Sequence, residues 1–208
     1  RQRQMCIRDR GTTAKACLVR EGKPSRTANL EVARTMRFAK GSGLTVQLPS
    51  VDLIEIGAGG GSIAHTDILG LLKVGPQSAE SRPGPACFGF GGDKPTVTDA
   101  NVVLGYLNAD DFAGGTMKLD VGLAREAISP LAARLDASVE AAAFAIIETV
   151  SGSMADAMRV HLAEQGHYPR SVTVLASGGN AVRVADTASG RLLGPFQRKQ
   201  STCRASFS

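Results

Sequence analysis

Three short stretches of this chain carry residue types suited to handling phosphate. "GTT" at Gly11, Thr12 and Thr13 heads an apolar run, and "GAGGGS" places Gly57, Gly59, Gly60 and Gly61 just before Ser62. "SGG", Ser177 to Gly179, closes a third apolar run. Backbone amides in a tight turn bind phosphate oxygens, and threonine hydroxyls add donors beside them. Lys15, two residues past Thr13, could balance the charge, although on these residues alone an ordinary turn is the better account of Gly11–Thr13. The second stretch fits neither standard nucleotide loop: no lysine follows in the G-x-x-x-x-G-K-[ST] arrangement, and Ser62 replaces the third glycine of the dinucleotide fingerprint. The pattern after it is strand-like, so no helix N-terminus stands ready for a pyrophosphate. A close-packing turn and a ligand-adjacent loop both remain open for it. Gly178 and Gly179 would let a ribose or adenine ring lie flat at the carboxyl end of a buried strand, where ligands of open α/β sheets gather, or would make a plain strand-to-helix turn.

Other chemistry-bearing residues form no motif. His65, His161 and His167 show neither H-x-x-x-H nor H-E-x-x-H spacing. His161 reads as a half-buried helix residue, and His167 as a cation just past a helix end. Asp52, Asp67, Asp93 and Asp99 are the carboxylates nearest the glycines. Asp99 suits a helix cap, with a Mg²⁺ ligand as the alternative. Ser62 has no His or Asp partner at nucleophile spacing. Cys6, Cys17, Cys87 and Cys203 form no C-x-x-C pair, so neither a zinc site nor a disulfide framework is expected, and a reducing cytoplasm is the default compartment.

The elements that must position these residues begin with strands. Ala14–Arg20 is one, turning at Glu21–Pro24, and 44–48 and 51–56 are two more, parted by Pro49. Residues 62–65 and 71–75 form a hairpin across "TDILG". The stretch 75–95 is too rich in Gly and Pro for regular structure and reads as a long functional loop. Helices follow: one capped by Thr98 or Asp99, then two short helices in "DVGLAREAISPLAARL" with Pro130 opening the second. The longest helix buries Val139, Ala143, Ile146, Ile147, Val150, Met154, Ala157 and Met158 at three- and four-residue intervals and ends at Gly166. A strand over 171–176 runs into Gly178. Strands first, helices next and one more strand make an α/β or α+β domain.

At 208 residues and 43% hydrophobic, the chain supports an ordinary core, and with no Trp and 24 Gly that core depends on small side chains. No run approaches the roughly 20 apolar residues of a membrane span, so no membrane role is expected. The formal charge of +5 invites nucleic acid, but the excess sits in Arg1, Arg3, Arg8 and Arg10 and in Arg191, Arg198, Lys199 and Arg204. Residues 11–190 are slightly acidic, which argues against nucleic acid as a partner. Both ends differ from the body. Residues 1–10 resemble a translated adapter rather than native protein, and 191–208 read as a disordered or frame-shifted tail. The folded domain is expected over 11–190.

Taken in order, "GTTAKACLV", "IEIGAGGGSIA", "LKVGPQSAESRPGPACFGFGGDKPTVTDANVVLGYL", "FAGGTMKLD" and "SGSMADAMRVHLAEQGHYPRSVTVLASGG" resemble the hydantoinase A / 5-oxoprolinase family, which also includes ketone carboxylase subunits. The resemblance implies a partial actin-like ATPase domain of ribonuclease H-like α/β type, with a Gly/Pro-rich β insertion followed by helices. It implies ATP and Mg²⁺ as cofactors, Gly11–Thr13 at the end of a second phosphate loop, and Ser177–Gly179 as the adenosine turn. Gly57, Gly59, Gly60, Gly61 and Ser62 would border the cleft on the substrate side. The family's first phosphate loop is not found here, so the sequence reads as an internal fragment of a longer subunit. The implied reaction is ATP-dependent opening of a cyclic amide, a hydantoin or 5-oxoproline, with a B-type partner subunit or domain. ATP-dependent ketone carboxylation is the enzyme alternative, and a non-catalytic interaction module the other. Two departures stand out: the family's D-x-G-G-T-T appears as Asp9-Arg10-Gly11-Thr12-Thr13, and "NAVRVADTA" follows Gly179 in place of a Gly-Pro and a His.

Overall fold

A computed structural model describes residues 3–9, 11–32, 41–169 and 172–177. Its centre is a five-stranded sheet. Strand β1 (Arg3–Asp9) lies between β2 (Ala14–Arg20), antiparallel to it, and β9 (Thr173–Ser177), parallel to it. The far edge of β2 is shared by β3 (Lys23–Pro24) and β6 (Leu53–Ile56), both antiparallel. Period-two alternation explains the layer: Met5, Ile7, Ala14, Ala16, Leu18, Ile54 and Ile56 are buried on one face, whereas Lys15 and Glu55 are exposed on the other. Residues 3–9, set aside by composition as a leader, thus serve as a central strand whatever their origin, because Met5 and Ile7 alternate correctly with Gln4 and Cys6.

Two hairpins flank the sheet. Strands β4 (Arg26–Val32) and β5 (Leu44–Val51) form a two-stranded arm, and β7 (Ser62–Thr66) pairs with β8 (Leu72–Ser78) across the expected turn. Asp67 closes that turn by accepting from the amides of Leu69 and Leu71, both at 2.9 Å. Pro49 does not separate two strands as expected. It lies inside β5, opposite the register irregularity between Thr27 and Asn29, and a bulge is where a strand tolerates a residue without an amide hydrogen.

Three helices follow, α1 (Val97–Val103), α2 (Val121–Arg134) and α3 (Val139–Glu164); α3 packs on the buried face at β2 and β6, and α1 and α2 pack against α3. Helix α3 follows its expected stripe from Ala143 to Met158 and ends before Gly166, whose φ of 70° only glycine adopts without cost. Val139 is only partly buried, and His161, expected to be half-buried, is 2% exposed. The two short helices expected around Pro130 are a single helix. Ala124, Ala127, Ile128 and Leu131 form one buried stripe that runs past the proline, and its packing outweighs the one amide bond that Pro130 cannot make.

Candidate functional site

The register of the sheet brings the glycine segments to one end. Asp9 pairs with Ala14, Ala14 with Ile56, and Arg8 with Ser177. The turn between β1 and β2 and the run beginning at Gly57 therefore leave the sheet at the carboxyl ends of β1 and β6, the same end at which β9 stops at Ser177. Positions far apart in sequence meet because antiparallel β1–β2–β6 pairing folds the first two together, and parallel pairing of β9 with β1 aligns the third. Gly178 and Gly179 themselves lie outside the described residues.

The glycine run packs directly against the Gly11–Thr13 turn. Gly61 donates its amide to the carbonyl of Gly11 at 2.6 Å, and Ala14 donates to the carbonyl of Ala58 at 2.9 Å. A β-carbon on Gly61 would stand 2.9 Å from the Gly11 oxygen and 3.0 Å from Ser78 Oγ, so only glycine permits this approach. Gly75, at φ 75°, has the same relation to Gly57, whose oxygen would be 2.8 Å from an added β-carbon. Gly59, Gly60, Gly61 and Ser62 are buried, and Ser62 Oγ accepts from the Gly59 amide at 2.8 Å. Of the two readings left open for this run, close packing is what its geometry displays. Thr12 is exposed and Thr13 half-buried, and apart from the chain neighbours of Gly11 no atom of the described residues comes within 4 Å of the position a β-carbon there would take. Lys15 points from the opposite face of β2 to its cross-strand neighbour, with Nζ 3.2 Å from Glu55 Oε1 and both side chains about half exposed.

Behind the run stands a buried carboxylate. Thr96 caps α1, and Asp99, three residues on, closes a capping box. Asp99 is 0% exposed, and its oxygens accept from the amides of Cys87 (2.8 Å), Thr96 (3.0 Å) and Ala86 (3.3 Å) and from Thr96 Oγ1 (2.7 Å). With four donors upon it, this carboxylate is the reciprocal partner of the Thr96 cap and the anchor of the 86–87 loop, rather than the cap itself. Among the described residues no group of three or more His, Cys, Asp or Glu is placed to hold a metal. Burial, and then the Asp99 carboxylate alongside, push the Cys87 thiol far above its ordinary range, so it stays protonated and inert.

Thr98 was missed as a site residue. Its amide (2.8 Å) and its Oγ1 (2.9 Å) both donate to the Gly60 carbonyl, tying α1 to the glycine run. The cap expected at Thr98 or Asp99 lies at Thr96, which frees the Thr98 hydroxyl for this bond. The T-x-x-D spacing of Thr96 and Asp99 was the available signal for the cap, but nothing local marks the contact with Gly60. A separate cleft of about 340 Å³ between β7 and α2, rimmed by His65, Asp93, Lys94 and Arg134, includes none of the glycine segments.

An α/β domain with a glycine run seated on a Gly-Thr-Thr turn fits the sequence profile of the hydantoinase/oxoprolinase family, which matches residues 9–194; the chain belongs to that family. It is 45% identical over 172 residues to the protein MJ0964 of Methanocaldococcus jannaschii, covering 81% of this chain and 25% of that protein. It is 46% identical over 137 residues to the caprolactamase subunit alpha of Pseudomonas jessenii, covering 65% and 20%. It is also 43% identical over 136 residues to the acetophenone carboxylase gamma subunit of Aromatoleum aromaticum, covering 64% and 19%. Among solved structures, it superimposes on the ATP-dependent caprolactamase of Pseudomonas jessenii with a TM-score of 0.76 at 36% identity, over 92% of this chain and 27% of that one. The nucleotide-free structure of acetone carboxylase gives a TM-score of 0.77 at 29% identity, over 92% and 26%. The chain thus spans about a fifth to a quarter of the length of these relatives. No helix among the described residues is long and apolar enough to cross a membrane.

Proposed function

We propose that this chain is the phosphate-handling part of a longer ATP-dependent subunit that opens cyclic amides such as hydantoins or 5-oxoproline. The observation that carries the reading is the bond from Gly61 to Gly11, which seats the family's glycine run on an exposed Gly-Thr-Thr turn at the sheet end where β9 also stops. An antiparallel β1–β2–β6 meander with β9 parallel to β1 supports an actin-like, ribonuclease H-like ATPase domain.

In this reading Gly11, Thr12 and Thr13 hold phosphate oxygens, Gly178 and Gly179 take the adenosine, and Gly57 to Ser62 shape the cleft wall on the substrate side. The exposure of Thr12, the half-exposed Thr13 and the room beside Gly11 among the described residues fit that use. Lys15 would turn from Glu55 to phosphate at little cost, because an exposed ion pair contributes only about 0–1 kcal/mol. When bound, ATP would supply a phosphoryl group to the amide oxygen, leaving the amide carbon more open to attack by water before the C–N bond breaks, and Mg²⁺ would offset phosphate charge. What the chain contributes is orientation and fixed dipoles where charge develops.

The carboxylase relatives support a second reading, ATP-dependent carboxylation of a ketone, which shares the activation step and captures bicarbonate. In either case a partner subunit is proposed, in line with relatives named as alpha and gamma subunits, and the cytoplasm is the proposed compartment. The test is ATP hydrolysis by the longer parent subunit with hydantoin, 5-oxoproline and acetophenone in turn. Turnover with a cyclic amide alone supports the first reading, and turnover with acetophenone and bicarbonate the second. An absence of turnover with all three overturns both and leaves a non-catalytic module. The 208-residue chain alone is expected to turn over no ATP.

A further inference from the structure

We infer that Thr98 is a positioning residue for the phosphate turn, acting through the single peptide unit that joins Gly60 to Gly61. This deepens the nucleotide reading above and rests on it for its functional meaning. A trans peptide is planar, so its C=O and N–H point in opposite directions and cannot turn independently. At this peptide the carbonyl accepts both the amide (2.8 Å) and the hydroxyl (2.9 Å) of Thr98, while the amide donates to the Gly11 carbonyl at 2.6 Å. Thr98 therefore holds one end of a rigid plate whose other end holds the turn.

The need for such a clamp follows from the flanking residues. With glycine on both sides, the peptide is free to rotate through conformations that other residues forbid, so the sequence alone does not fix its orientation. Glycine is nonetheless required at 61, where a β-carbon would meet the Gly11 oxygen at 2.9 Å. The contact that demands glycine thus removes the local stiffness that would keep it in place, and two donors from one residue on an adjoining helix restore it. The helix is itself anchored, since Asp99, the next residue, is bound by four donors from Thr96 and the 86–87 loop. The Ser62 hydroxyl does not duplicate the clamp, because it bonds the Gly59 amide rather than the Gly60–Gly61 peptide.

The experiment is residue-resolved amide hydrogen exchange on the 208-residue chain with Thr98→Val and Thr98→Ser. Valine keeps the shape and the amide bond but removes the hydroxyl. Thr98→Val is expected to speed exchange at Gly61 about fivefold, the effect of losing one buried hydrogen bond, while Ile146 in α3 is unchanged; Thr98→Ser is expected to stay within about twofold of the parent. Unchanged exchange at Gly61 in the valine variant, or an equal rise in the serine variant, overturns the inference. Should the valine variant fail to fold, the unaltered chain still decides: Gly61 and Thr98 amides are expected to open together, and exchange at Gly61 about a hundredfold faster than at Thr98 overturns it. MgATP affinity of the longer parent subunit, measured with and without Thr98→Val, addresses the underlying reading separately. No binding there counts against nucleotide handling and leaves the exchange result standing, whereas binding that Thr98→Val does not weaken counts against the clamp.

Discussion

Replacing Asp99 gives the most demanding test of how this site is supported. Asp99→Ala removes the acceptor for the amides of Ala86, Cys87 and Thr96 and for Thr96 Oγ1, in a place with no access to solvent. A buried donor left without a partner costs about 1–3 kcal/mol. Four such costs do not add fully, because the donors share one acceptor group and the 86–88 turn can shift toward water. A loss of about 3–5 kcal/mol is expected, a large part of the roughly 5–15 kcal/mol that holds a typical domain folded. Asp99→Asn distinguishes this hub from a merely space-filling role. Oδ1 faces the Cys87 amide and Oδ2 faces Ala86 and Thr96, so either orientation of the asparagine amide sets its NH₂ against at least one backbone donor. The isosteric variant is therefore expected to lose about 1–3 kcal/mol despite its shape. Urea unfolding followed by circular dichroism measures both, with iodoacetamide labelling of Cys87 as a second readout that rises as its loop loosens. Losses under about 1 kcal/mol in both variants, with Cys87 still unreactive, would refute the hub.

Three further outcomes are expected. Gly61→Ala forces a β-carbon against the Gly11 carbonyl and should cost about 1–3 kcal/mol by chemical denaturation, with resonances of Gly11 to Thr13 displaced; an unshifted turn would contradict the packing. Pro130→Ala restores an amide bond within α2 and should stabilise by about 1–2 kcal/mol after the looser unfolded chain is counted, so a lower midpoint in calorimetry would show that the ring itself matters. Glu140, at the start of α3, is held below its usual carboxyl range by its own backbone amide first and by Arg125 second, whose Nη1 lies 2.8 Å away. A depressed carboxyl favours the folded state above its unfolded titration and loses that contribution as pH falls, so Glu140→Gln should flatten the stability curve between about pH 5 and pH 3, more visibly at low salt. Parallel curves for the two proteins would remove that link.

Much of this was legible in the sequence, for reasons that differ by element. The stripe from Ala143 to Met158 and the end at Gly166 follow from helical periodicity and from glycine's access to positive φ, both local properties of the chain. Strand β2 and the β7–β8 hairpin are likewise local patterns with a turn between them. Proline misled twice. In β5 and in α2 its local cost is overruled by contacts made elsewhere, a bulge in one case and a buried stripe in the other. Thr96 and Asp99 could have been paired from their spacing, but the Ala86 and Cys87 amides that complete the hub lie more than ten residues away.

The sequence by itself determined which segments matter: their residue types and order carry the family, and four glycines within five positions announce an unusual backbone. It did not determine what those glycines do. Whether Gly59 to Gly61 face a ligand or a neighbouring backbone depends on strand register, which sets Ala14 against both Asp9 and Ile56 and so brings residues fifty positions apart within one hydrogen bond. Register follows from burying a whole face of the sheet at once, and glycine has no side chain through which that burial could be read in advance.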